Sequence, residues 1–166
     1  MRTSITEPLP RARGFTLIEV LVVVLIIAIL VSLVAVQLSP DARHGLREEA
    51  ARLAALLAHA RDEAITTGAP LAWQRTDAGY RFLQRGADRT WQPMDGEASL
   101  RARVLPTGVS VAAIETPATA NGGNPTIVLS PTGIADPFRI TLALGAHRVR
   151  VASDGVTAPS VEEPGN

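Results

Sequence analysis

The chain has 166 residues, with sixteen arginines balancing sixteen acids, no lysine and no cysteine. That length holds one domain of ordinary size plus a short extra element, and a formal net charge of +0 gives no footprint for a polyanionic partner. Without cysteine there are no disulfides, thiol nucleophiles or thiolate metal ligands, and His44, His59 and His147 lie too far apart in sequence to suggest a ligand set.

The first fourteen residues carry Arg2, Arg11 and Arg13 against the single acid Glu7. Phe15 to Leu38 then forms an apolar run of 24 residues whose polar members are Thr16, Glu19, Ser32 and Gln37. As a helix it reaches roughly 36 Å, enough to cross a hydrocarbon layer about 30 Å thick. The arginines before it bias the N-terminus to the cytoplasm, which puts the rest of the chain across the membrane, in a bacterium the periplasmic side of the inner membrane. A cleaved secretory signal has a shorter apolar stretch and a small-residue site behind it. Here QLSPDARHG follows, and the abrupt change of character falls at Gly14, before the run. Cleavage at Gly14 leaves the span on the mature protein and creates an amine at Phe15. That amine is four positions from Glu19, on the same helix face. The carboxylate also sits at the positive end of the helix dipole, and an acid in such a segment is by default functional.

The stretch GFTLIEVLVVVLIIAIL resembles the N-terminus of type IV pilins and type II secretion pseudopilins, in which glycine, aromatic residue, carboxylate and unbroken apolar helix keep one fixed register. The resemblance implies cleavage between Gly14 and Phe15 by prepilin peptidase, methylation of the Phe15 amine, and use of Glu19 in subunit docking during assembly.

Residues 39–68 read as an amphipathic periplasmic helix. Pro40 kinks the chain or restarts the helix with Ser39 as N-cap. Leu46, Ala50, Leu53, Leu57, Ala60 and Ala64 recur at steps of four and three and mark a face for the core, and Gly68 and Pro70 end the element. Residues 69–157 change to period two. Leu71–Arg75 and Tyr80–Arg85 form a hairpin, and Trp91 lies on a third strand. Gly108–Glu115 forms a further strand with Val109, Val111 and Ala113 on one face, and residues 116–125 form a loop. TIVLSPTG follows as strand and turn. FRITLALGAHRVRVASDG is a second hairpin with Gly145 and Ala146 at its tip, and residues 158–166 are expected to be a disordered tail.

A helix followed by short antiparallel strands gives an α+β body behind a membrane-spanning segment. AHARDEAITTGAPLAW, TIVLSPTGIADP and HRVRVASDGVT resemble the GspH/FimT group of minor pseudopilins, while 88–123 resemble it little. The group implies a long N-terminal helix packed on small antiparallel sheets, in a structural and non-enzymatic component near the tip of a periplasmic pseudopilus. Its partners would be prepilin peptidase, other pseudopilins, the inner membrane and secreted cargo, with no cofactor.

No catalytic constellation can be assembled from the sequence. Ser130 and Ser153 stand at strand ends, where hydroxyls bond local backbone. Asp95-Gly96-Glu97 lacks the alternating oxygen ligands of a calcium loop, and ANGGN precedes no helix that would cradle phosphate. The rival reading is a minor pilin of a type IV pilus that takes up DNA, with Arg148 and Arg150 on one strand face and Arg139 beside them. The near-neutral soluble part weighs against it.

Overall fold

The computed structural model describes residues 17–36, 40–117 and 125–162. The chain divides into two compact units, Met1–Leu38 and Ser39–Asn166.

In the first unit, helix α1 covers Leu17–Val36. Its 20 residues rise about 30 Å. Its side chains are described for 17–29, and among the described residues no helix is long and apolar enough to cross a membrane. The sequence stays apolar beyond that point through Val36 apart from Ser32. Residues 15, 16, 37 and 38 of the expected 15–38 segment lie outside the described residues, as do the leader and the expected N-cap Ser39.

The second unit opens with α2, Pro40–Thr67. Proline suits the first helical position because its missing N–H would have had no partner there. Gly68 ends the helix with φ +66, a left-handed conformation that costs a glycine little. The expected stripe is the buried face: Leu46, Ala50, Leu53, Leu57, Ala60 and Ala64 are all 0% exposed. Full burial of each of its three leucines contributes about 1.5–3 kcal/mol.

Two antiparallel sheets cover that stripe. In the first, β1 (Leu71–Arg75) pairs with β2 (Gly79–Arg85) and with β6 (Thr126–Leu129). Along its other edge β2 takes β3 (Trp91–Pro93) and β4 (Arg103–Val104). The second sheet runs β5 (Val109–Glu115), β7 (Phe138–Leu144), β8 (His147–Ser153), β9 (Ser160–Glu162). Trp73, Tyr80 and Phe82 from the first sheet and Ile140, Leu142, Val149 and Val151 from the second meet the α2 leucines in one core. Tyr80 and Phe82 pack edge to face at 6.1 Å.

Two expectations are corrected. Ala113 does not share a face with Val109 and Val111, because the register of β5 against β7 shifts between Val111 and Ala113. The bulge turns Ala113 outward and brings Ile114 against the core instead. The segment 158–166 is not a disordered tail throughout. Ser160–Glu162 forms β9, with Val161 opposite Val151 and Glu162 opposite Arg150. Cross-strand neighbours of this kind are the unit of sheet stabilisation, and three residues are enough to set Val161 against Val151 and to bring Glu162 within 3.7 Å of Arg139.

Candidate functional site

The sequence marks two places, the start of α1 and the outer face of the second sheet. Gly14 and Phe15 lie outside the described residues. Glu19 sits in the first turn of α1. Around it the helix is apolar on every side, and each large apolar side chain from Leu17 to Ile29 is between 45% and 84% exposed. A continuous exposed apolar surface of this extent marks a lipid or protein interaction site.

On the second sheet the register aligns Arg139 with Ala152, Thr141 with Arg150 and Ala143 with Arg148. Alternation along the strands therefore brings the three arginines to one face, opposite the face of Ile140, Leu142, Val149 and Val151 that enters the core. Two acids share that outer face. Arg139 Nη1 donates to Glu115 Oε2 at 2.9 Å, and its Nε lies 3.7 Å from Glu162 Oε2. The hydrogen bond to Glu115, reinforced by the charges of Glu115 and Glu162, raises the Arg139 pKa above its ordinary value. Arg148 Nη1 donates to the carbonyls of Gly145 (2.8 Å) and His147 (3.0 Å). Three guanidiniums against two carboxylates leave a surplus of one positive charge on this face. Sequence spacing did not foretell Glu115 or Glu162 as partners, because each reaches Arg139 from a different strand.

Beside Arg139 opens a cavity of about 640 Å3 lined in part by Glu115, Phe138, Asp154 and Glu162. Asp154 Oδ1 accepts from the N–H groups of Val156 (2.9 Å) and Thr157 (2.7 Å) and from the Thr157 hydroxyl (2.9 Å), which holds its pKa below the usual carboxylate value. These bonds fix the turn that leads into β9.

Ser130 bonds locally: its hydroxyl accepts from the Thr132 N–H at 3.2 Å. Ser153 does the same, donating to the Thr157 carbonyl at 3.0 Å and accepting from the Gly155 N–H at 3.1 Å. One further grouping superficially suggests a nucleophile. Ser99 Oγ lies 3.1 Å from His59 Nε2 and 2.9 Å from Glu97 Oε1. Because the serine has one proton and the carboxylate only accepts, that proton goes to Glu97 and His59 Nε2 is the donor to Ser99. An activated serine needs the opposite arrangement, with the imidazole receiving its proton. Among the described residues no three His, Asp or Glu side chains gather as a metal site.

Residues 49–155 match the family described as Type II transport protein GspH, and residues 9–35 match the prokaryotic N-terminal methylation motif. The chain is 31% identical to the Type II secretion system protein H of Aeromonas hydrophila over 158 residues, which cover 84% of this chain and 85% of that one. Two solved structures of the minor pseudopilin EpsH from the type II secretion system of Vibrio cholerae share the fold. One has a TM-score of 0.59 at 20% identity, covering 73% of this chain and 98% of that one. The other has a TM-score of 0.61 at 17% identity, covering 74% and 99%. With its α+β body and its N-terminal methylation motif, the chain belongs to the GspH family of type II transport proteins.

Proposed function

We propose that the chain is a minor pseudopilin that works at or near the tip of the periplasmic pseudopilus of a type II secretion system. The observation that carries this reading is α1, a helix whose large apolar side chains from Leu17 to Ile29 are exposed on every side and whose first turn holds an acid. Prepilin peptidase removes residues 1–14 between Gly14 and Phe15, and the new Phe15 amine is methylated. The 15–38 segment first holds the protein in the inner membrane and then packs among equivalent helices, where Glu19 neutralises the terminal amine of a neighbour. A carboxylate at the centre of an apolar layer costs about 3 kcal/mol on insertion scales; Glu19 lies near one end, where the cost is smaller, and a cationic mate offsets it. The body from 39 onward contacts neighbouring subunits or cargo, and the role is mechanical rather than catalytic.

Mass measurement of the mature protein tests the processing step: the expected N-terminus is N-methylated Phe15, and any other start overturns it. Incorporation into sheared filaments tests Glu19. Glu19→Ala is expected to remove the protein from the filament fraction while leaving it in the membrane, and unchanged incorporation overturns the docking role.

A type IV minor pilin that captures DNA is the second reading, favoured by Arg139, Arg148 and Arg150 sharing one face. Glu115 and Glu162 offset that charge, so specific uptake would need more cation than the face offers. A gel shift at several salt concentrations separates the two, with binding lost in the Arg148→Ala, Arg150→Ala double variant as the result that promotes DNA capture.

A further inference from the structure

A second cationic feature lies away from the arginines of β7 and β8. Where α2 passes β4, a recess of about 320 Å3 is lined by Glu49 and Arg52 from the helix and by Arg101, Arg103, Val104 and Pro106 from the chain around the strand. Glu49 is only 5% exposed and accepts from Arg52 Nη1 at 3.3 Å. One carboxylate therefore lies in a recess lined by three arginines. Nε of Arg103 is buried and has no hydrogen-bond partner. Such orphans are exceptions that need a cause. The Tyr80 hydroxyl, on the β2 residue paired with Arg103, is likewise buried without a partner.

The backbone holds the recess in shape. A Cβ at Gly79 would collide with the Arg103 carbonyl, so glycine is what lets β4 approach β2. Just beyond, the Leu105 N–H donates to the Ala78 carbonyl at 2.9 Å. Guanidiniums are suited to planar, bidentate recognition of carboxylate. The rim adds apolar contact area: Val104 is 78% exposed beside the charges, and Pro106 is exposed too. A site with a charged centre and an apolar margin fits a protein surface better than a phosphate backbone, which calls for a cationic track rather than one small recess.

We propose that the Arg52–Arg101–Arg103 recess receives carboxylates from an acidic segment of another protein subunit. With Arg52 bonded to Glu49, recognition joins charge-assisted hydrogen bonds from Arg101 and Arg103 to a side-chain contact with Val104 and Pro106. The inference rests on the pseudopilin reading for the identity of the partner, an adjacent filament subunit, and on the recess alone for the chemistry.

The test uses the full chain in detergent micelles and a fluorescent peptide of alternating glycine and glutamate, with the glutamine version as control and an oligothymidylate of equal charge as competitor. Wild-type protein is expected to bind the glutamate peptide, to bind it less as salt rises, and to ignore the glutamine peptide. Arg101→Glu is expected to weaken binding by about tenfold. Arg101 is exposed, so this variant should unfold at the same temperature as the parent. If it does not, Arg101→Gln is read in its place. Gly79→Ala adds a probe that changes no charge, and it too should weaken peptide binding by displacing β4. Absence of binding to the glutamate peptide, equal binding of the glutamine peptide, indifference to substitution at Arg101, or tighter binding of the oligothymidylate would each overturn the proposal. None of these results touches the processed Phe15 terminus or the Glu19-dependent incorporation, so a failure here is distinguishable from a failure of the pseudopilin reading.

Discussion

The two helices of this chain use similar residues to opposite ends. α1 spreads leucine, isoleucine and valine around its circumference and leaves those from Leu17 to Ile29 exposed, whereas α2 sets Leu46, Ala50, Leu53, Leu57, Ala60 and Ala64 on one stripe and buries them completely. An apolar helix with no polar side cannot be satisfied by one sheet, because any single contact leaves most of its surface uncovered. It needs a surrounding phase, either lipid or other helices. A striped helix needs one partner, and here its own chain provides it. The distribution of hydrophobicity, more than its amount, decides whether a helix belongs to the fold or to the assembly.

Substitutions on the two helices should break that symmetry most visibly. Leu57→Ala removes a fully buried side chain and is expected to cost about 2–5 kcal/mol of stability in denaturant unfolding of the detergent-solubilised protein. Leu25→Ala, at a site 55% exposed on α1, should leave that value within about 0.5 kcal/mol. Equal losses at the two positions would undo the distinction.

The buried side of the comparison is sharpened by Tyr80, whose pKa is raised to about 12, first by burial and then by the charge of Glu49. The folded state favours the protonated phenol, so its contribution is intact below the unfolded value near 10. Above that pH the unfolded chain ionises first, and stability falls until the folded pKa is passed, by on the order of 2–3 kcal/mol. The chain has one tyrosine, so tyrosinate absorbance reports this group alone. Tyr80→Phe should remove that part of the alkaline loss.

A smaller effect is expected where α2 pins loops instead of core. Arg61 donates to the Gly133 carbonyl through Nε (3.2 Å) and Nη2 (2.8 Å), and to the Val156 carbonyl through Nη2 (2.5 Å). Arg61→Met should cost about 1–3 kcal/mol, with hydrogen exchange accelerating first in the loops around Gly133 and Val156. Smallest of all is Asp154, exposed and lowered in pKa by its three hydrogen bonds. Its stabilisation is present above the ordinary carboxylate pKa and is lost as pH falls through the depressed folded value. The difference in unfolding temperature between wild type and Asp154→Ala should therefore shrink on acidification.

The parts of the fold visible in the sequence are those with repetition. The α2 stripe recurs over six positions, so local pattern and final burial coincide there; the β7–β8 hairpin alternates around a glycine tip and its core face follows, although Thr141, Ala143 and Ala152 on the other face are buried as well. Where an element is too short to repeat, the signal vanishes. β4 has two residues and β9 three, and both exist because a neighbour fixes them. The bulge in β5 is hidden for a related reason, since alternation alone cannot announce where one residue will be skipped. The motif around Glu19 was readable because it depends on chain-local spacing. The companions of Arg139 and the gathering of Glu49, Arg52, Arg101 and Arg103 were not, because side chains tens of residues apart meet only once the sheets have formed.

The rims of the two sheets have a consequence for how this molecule resists sticking to itself. Unpaired strand edges are templates on which another chain can add, and crowding along a fibre would favour such growth. In the first sheet β3 ends in Pro93, β4 has two residues and β6 has four. In the second, β5 is bulged and ends in Glu115, while β9 is three residues long and ends in Glu162. Each described margin thus carries a brake on ribbon-like aggregation.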